Sequence, residues 1–236
     1  TCALALRRLI GVRLDPGVTE VPVFNADSWL WSFQSERSAG NDVRNLRLDV
    51  QQGTLDALNV GRYSDSKGRV VALPSEEMTH GLGHAAVYDE DTLGTFSSSG
   101  DVMTDDPFGR TKVRVRNMDC LEAAAELLDS EPGAHVAVLN MANEYSPGGD
   151  WQGGCGTQEE NLHRRTNLCD HLSNFRQLLP EPPVKYPLPE FGGAFSPGVC
   201  VFRGSEAQGY PFLSQPQLVS VMSVAAYCRP RCCGGR

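Results

Sequence analysis

Several things are scarce in this sequence of 236 residues, and each scarcity removes a class of function. No apolar run approaches the roughly 20 residues that a membrane-spanning helix needs. No internal repeat is present, which sets aside repeat architectures. Basic charge is short: 21 Lys and Arg stand against 29 Asp and Glu, for a net charge of −8. A general binder of nucleic acid or of an anionic membrane would carry a basic face instead. An anionic ligand stays open, because backbone N–H groups at a helix start bind phosphate locally. The eight cysteines are scattered at Cys2, Cys120, Cys155, Cys169, Cys200, Cys228, Cys232 and Cys233. A chain of this size needs no disulfide staples, so reduced thiols and an intracellular setting, cytoplasm or nucleus, are expected. Arg7 and Arg8 interrupt the short apolar run of the first ten residues, unlike a signal peptide. The first residue is Thr rather than Met, which reads as a fragment or a processed form.

What is present is a globular balance, 40% hydrophobic and 21% charged. The length allows one large domain or two small ones. Residues 1–40 read as an amino-terminal extension, with a short helix over 3–12. Trp29, Trp31 and Phe33 read as core, and 21–24 as a short strand. Residues 43–58 read as helical or mixed, with Leu46, Val50 and Leu55 for one face. Residues 61–68 read as a turn and 69–73 as a strand. The polar stretch 75–110 reads as a long surface loop with room for one strand. From residue 111 the pattern sharpens. Residues 112–117 alternate charged and apolar side chains as a strand does. Asp119 reads as N-cap of a helix over 120–128, followed by a turn at Pro132–Gly133 and a buried strand over 135–141. That is a β–α–β unit, which implies parallel strands. Residues 157–175 read as one helix, opened by a capping box of Thr157 and Glu160. Six prolines mark 180–197 as an extended loop, and 198–202 and 218–224 are two further strands.

The chemistry concentrates in residues 140–168, NMANEYSPGGDWQGGCGTQEENLHRRTNL. A buried strand ends, a glycine-rich loop crosses the sheet, and a helix begins. Open α/β sheets bind ligands beyond the carboxyl ends of their strands. Glycine lets backbone come close to a ligand, and the helix start favours anions such as a pyrophosphate. Glu159 and Glu160 place acid chemistry at that same rim.

This segment resembles the microbial-type poly(ADP-ribose) glycohydrolase family. The family signature is three glycines, six to eight residues, then Gln-Glu-Glu. Here Gly148, Gly149 and Asp150 precede Gln158, Glu159 and Glu160 with seven residues between. Asn140, Ala142 and Asn143 look like the family's strand end, and 164–168 like its helix. The resemblance covers 111–175 most strongly, and 40–75 and 198–227 more weakly. It implies an α/β, macrodomain-like fold over 41–236, best supported over 111–227, with a mostly parallel central sheet flanked by helices. It implies release of ADP-ribose by hydrolysis of ribose–ribose bonds in poly(ADP-ribose), or of a related ADP-ribosyl linkage, including one on a modified protein. Glu160 would be the catalytic acid and then base, and Glu159 would position the adjoining ribose. Asn143 would bind the distal ribose, with Gly148, Gly149, Asp150 and Gln158 lining the ligand. No metal and no cofactor are called for.

Two departures follow from the resemblance. Asp150 stands where the signature has its third glycine. The family's later helix and second phosphate-binding loop have no match before Arg236, so the chain reads as C-terminally truncated or its site as incomplete. The alternative function is therefore a non-catalytic ADP-ribose binder. Blander readings apply elsewhere. Trp151 packs the loop, and Cys155 is a small filler with no nearby His to activate it. Arg164 and Arg165 form a solvated helix face. His80 and His84 are spaced for a metal pair, but Gly81 and Gly83 make a poor helix. Cys228, Cys232 and Cys233 lack a fourth zinc ligand.

Overall fold

A computed structural model describes residues 20–93 and 112–226. The expected helix at 3–12, the loop residues 94–110 and the tail with Cys228, Cys232 and Cys233 lie outside the described residues. Helices α1 (Ala26–Ser38) and α2 (Arg44–Val60) lead into a hairpin of β1 (Arg62–Ser64) and β2 (Val70–Ala72). Then come α3 (Ser75–Gly83), β3 (Ala86–Tyr88), α4 (Glu90–Leu93), α5 (Cys120–Ser130), β4 (Ala137–Ala142), α6 (Gln158–Arg165), α7 (Leu168–Ser173), β5 (Gly193–Arg203) and β6 (Phe212–Ala225).

The central sheet runs β3-β5-β6-β4. Its β4–β6 pair is parallel, but β3–β5 and β5–β6 are antiparallel. The architecture is α/β as expected, yet the sheet is mixed rather than mostly parallel. The reason is local: β5 and β6 are joined by a short connection that reverses the chain, with a left-handed Gly209 (φ +77°) in it. Residues 112–117 form no strand, and Val113 and Val115 stand 83% and 95% exposed. Alternation alone builds no strand without a partner. The adjacent edge of β4 is partly taken, because the Gln158 side chain donates to Leu139 O (2.7 Å) and accepts from Met141 N (2.9 Å).

One face of the sheet is covered by α5, α6 and α7. Val138, Val199, Val201, Val219 and Val221 meet Leu121, Leu162, Leu168 and Leu172 in one buried cluster. Asp119 caps α5 as the sequence indicates, accepting from Leu121 N and Glu122 N. On the other face, Cys200, Phe202 and Phe212 pack with Leu55 and Leu58 of α2 and with Met78 of α3. Among the described residues that cover stops short. Leu139 pairs with Met222 and Met141 with Val224, and these four are 57%, 48%, 63% and 38% exposed.

Three sequence readings change here. Residues 21–24 form no strand. Trp29 and Phe33 are buried and stacked, with the Trp29 indole donating to Leu46 O (2.7 Å), but Trp31 points outward at 70% exposure. The helical period puts residues 29 and 33 on one face and 31 on the other. Residues 75–93 hold two helices that the loop reading did not include, with one strand between them. Helix α3 tolerates Gly81 because a Cβ there would lie 2.3 Å from Pro197 O. Close backbone packing against β5 offsets the poor propensity.

Candidate active site

The site is built where β4 ends and α6 begins. Asn140 and Ala142 are buried on β4, and Asn143 emerges exposed at its end. The Asn143 carboxamide oxygen accepts from Tyr145 N and Ser146 N, both at 2.9 Å, which turns the chain sharply. Residues 146–156 then loop back over the start of α6.

Glu159 and Glu160 hold that loop from below, and both are almost sealed, at 3% and 5% exposure. Glu159 ties strand to loop: it accepts from Asn143 N (2.8 Å), Gly148 N (3.0 Å) and the Asn140 amide (3.4 Å). Burial pushes its carboxyl up from the usual range, the three donors oppose that, and the Glu160 charge adds to it. Glu160 accepts from Asp150 N (3.0 Å) with one oxygen and from the Thr157 hydroxyl with the other. The expected capping box is thus rearranged. Thr157 is the N-cap, but its side chain makes no cap bond to the helix and donates to Glu160 instead.

Gly148 and Gly149 adopt φ +81° and +57°, which L side chains rarely take. A Cβ on Gly149 would lie 2.6 Å from Glu160 Oε1, so glycine keeps the carboxylate in contact with the loop. Asp150 needs no glycine, with φ −106°. Its exposed carboxylate turns along the loop, where it accepts from the Cys155 thiol (2.9 Å) and packs on Gly153. That hydrogen bond, with some burial, pushes the Cys155 thiol up, so it is a poor nucleophile. Gln158 spends its amide on the backbone of β4. Trp151 is 2% exposed and packs the loop down against His163 and Phe175, with ring centroids 5.5 and 4.9 Å away.

The sequence placed Arg164 and Arg165 on a solvated face, and the structure corrects this: they are 0% and 2% exposed. Arg165 pairs with Asp119 (2.8 Å) and donates to Arg203 O. Arg164 donates to Cys155 O (2.7 Å) and to the Tyr210 hydroxyl (3.1 Å). Glu206 and Tyr210 are therefore neighbours of the site that the sequence did not single out. Their signal was absent, because they lie some 50 residues downstream on the β5–β6 connection.

His80 and His84 sit one turn apart on and just after α3, with rings 4.4 Å apart and the His84 Nδ1 on His80 O. Among the described residues no three His, Cys, Asp or Glu side chains converge as a metal set would. None of the described helices is long and apolar enough to cross a membrane.

The family model described as microbial-type PARG, catalytic domain, matches residues 51–204. A crystal structure of poly(ADP-ribose) glycohydrolase from Thermomonospora curvata bound to the inhibitor ADP-HPD is 25% identical, with a TM-score of 0.56. It covers 76% of this chain, and this chain spans 62% of its length. A second structure of the Thermomonospora curvata enzyme is likewise 25% identical, with a TM-score of 0.56 and coverage of 76% of this chain and 64% of its own. The enzyme from Deinococcus radiodurans in complex with ADP-ribose is 21% identical, with a TM-score of 0.44 and coverage of 66% and 59%. No curated protein matches. The model match spans well over half of the residues and includes the whole loop with both glutamates, so the chain belongs to the microbial-type PARG catalytic-domain family, with its α/β, macrodomain-like fold.

Proposed function

We propose that this chain hydrolyses the ribose–ribose O-glycosidic bond of poly(ADP-ribose), or a related ADP-ribosyl linkage, and releases ADP-ribose. The observation that carries the reading is the Glu160 carboxylate, held by Asp150 N–H and the Thr157 hydroxyl against the glycine-rich loop. The Thermomonospora curvata relative binds an ADP-based inhibitor, ADP-HPD, which supports a ligand of the same class here.

In this mechanism the protonated Glu160 gives its proton to the leaving ribose oxygen as the glycosidic C–O bond breaks. An oxocarbenium-like centre forms at the anomeric carbon, and the resulting carboxylate stabilises it. Water then attacks that carbon and loses a proton to Glu160, which restores the acid. Glu159 fixes the adjoining ribose while tying Asn143 and Gly148 together. The Asn143 amide nitrogen, exposed at the strand end, binds the distal ribose, and Gly148, Gly149 and Asp150 wrap the sugar. Gln158 contributes by pinning α6 to β4. The reaction moves one proton each way, and these residues suffice for it.

The test is Glu160→Gln. A glutamine can still accept from Asp150 N and donate to the Thr157 oxygen, so the loop should keep its shape. Release of ADP-ribose from polymer should fall by about a hundredfold or more, as for loss of a general acid, while calorimetric affinity for ADP-ribose stays nearly unchanged. Unaltered turnover would overturn the role of Glu160. Binding without turnover in the unsubstituted chain would instead favour an ADP-ribose binder, a reading to which Asp150 at the third glycine position lends weight.

A further inference from the structure

The loop has two limbs. The two glutamates hold the incoming one, at Gly148 N and Asp150 N. The outgoing one, residues 154–156, is held by different chemistry. Arg164 lies one helical turn beyond Glu160 on α6, so both side chains share a face. Its guanidinium is fully buried, and among the described residues no carboxylate forms an ion pair with it. It donates to Cys155 O (2.7 Å) and to Tyr210 Oη (3.1 Å), and its remaining nitrogen Nη2 has no hydrogen-bond partner among the described residues. A buried charge kept in that state is costly, and stability alone gives little reason to retain it.

The next links run from Tyr210. Its hydroxyl also accepts from the Asn161 amide (3.0 Å) and donates to Glu206 Oε2 (2.9 Å). Glu206 receives Arg47 of α2 in a two-pronged ion pair, at 2.8 and 3.1 Å. The Arg47 guanidinium in turn lies against the loop: a Cβ on Gly156 would stand 2.3 Å from its Cζ. A Cβ on Gly154 would stand 2.5 Å from Arg44 O, so α2 presses on the same limb. Burial pushes the Glu206 carboxyl up, but the Arg47 hydrogen bond and charge outweigh it and hold it below the usual range. The ion pair is therefore intact at neutral pH.

We propose that Arg164 and Arg47, joined through Tyr210 and Glu206, form a clamp on the outgoing limb of the catalytic loop. Its task is to hold Asp150 N–H on the Glu160 carboxylate. The four are positioning residues: Arg164 and Arg47 touch the loop, Tyr210 and Glu206 join them, and all act on the reaction through Glu160. In its catalytic consequence the clamp rests on the function proposed above. Its structural consequence, an ordered loop, does not.

The experiment uses the full chain with Glu206→Gln and Arg164→Lys. Glu206 is partly exposed, so Glu206→Gln removes the charge that joins the two arginines at little risk to folding, and covers the case in which Arg164→Lys does not fold. Backbone amide exchange is followed by mass spectrometry over peptides spanning residues 148–157 and over the β5–β6 sheet, with urea unfolding alongside. The expected result is exchange about tenfold or more faster in the loop alone, since a local opening leaves the core amides protected. Turnover on poly(ADP-ribose) should fall about tenfold or more through kcat, with KM little changed, because the loop mispositions the acid more than it weakens ligand contact. Tyr210→Phe, which keeps the ring, should reproduce both effects. Loop exchange that stays slow in variants of normal stability overturns the clamp. Exchange that quickens equally in loop and sheet also overturns it, since the residues would then be only structural. If the unsubstituted chain neither turns over polymer nor binds ADP-ribose, the functional reading fails by itself, and the exchange result alone decides the clamp.

Discussion

Glu159 and Glu160 are adjacent in sequence and do different work. Glu159 has three donors aimed at it, two of them backbone N–H groups, of which that of Gly148 would be left buried by its removal. Glu160 has one backbone donor and one hydroxyl that can turn around. Glu159→Gln places an NH2 group where Asn143 N–H or Gly148 N–H now donates. It should cost about 1–3 kcal/mol, the price of one buried unsatisfied donor. Glu160→Gln should cost well under half as much. Urea unfolding of both variants checks the ranking, and equal losses would contradict the division of labour. The sequence made the glutamates and the glycines legible, because Gln-Glu-Glu at fixed spacing from Gly148 and Gly149 is local information. The state of Arg164 was not legible. A charged residue on a polar helix reads as solvated, and only the chain folding back at Tyr210 and Cys155 supplies what buries it.

Helices α6 and α7 were read as one helix over 157–175, and the break falls at Thr166. Its backbone is extended (φ −141°, ψ 178°) and bridges to Val201 of β5. Its hydroxyl donates to Leu162 O (2.8 Å) and accepts from Leu168 N (3.1 Å), satisfying both helix ends at once. The apolar spacing of Leu168 and Leu172 carried through the break, so periodicity could not reveal it. The two short helices bury one histidine each. His163 lies between Trp151 and the Glu159 carbonyl, and His171 beside Asn167. Burial pulls both down to about 4 from the ordinary value near 6.5. As pH falls through 6.5 the unfolded chain takes up these protons, while the folded one does not until about 4. Their contribution is therefore complete above pH 6.5 and is lost as pH drops toward 4, by up to roughly 3 kcal/mol per histidine. Urea unfolding between pH 7.5 and 4.5 should show stability declining over that window, and His171→Gln should remove about half of the histidine part of the slope. A flat profile would mean that the imidazoles are not held neutral.

At the scale of the whole molecule, the α/β class and the strand–loop–helix order of the site were legible, while the mixed sheet was not. Parallel pairing of β4 with β6 spans some 80 residues of sequence, and strand direction leaves no trace in an apolar run such as 218–224. The half-covered second face has a physical consequence of its own. Helices α2 and α3 reach Cys200 and Phe202 but not the row of Leu139 and Met222 or that of Met141 and Val224. Those rows continue the ladder that supports Asn140 and Asn143, so solvent reaches one side of the strand that carries the site. Apolar area that is already wet contributes little to folding, at about 25 cal/mol per Å2 only of what is removed from water. Leu139→Lys with Met222→Lys should thus change the unfolding free energy by roughly 0.5 kcal/mol or less per site. Leu162→Ala, on the covered face at 1% exposure, should cost about 2–5 kcal/mol. The same double substitution should weaken binding of an apolar fluorescent dye. A large loss of stability from it would show that these side chains are covered in solution, and that the open face in this structure is filled by something else.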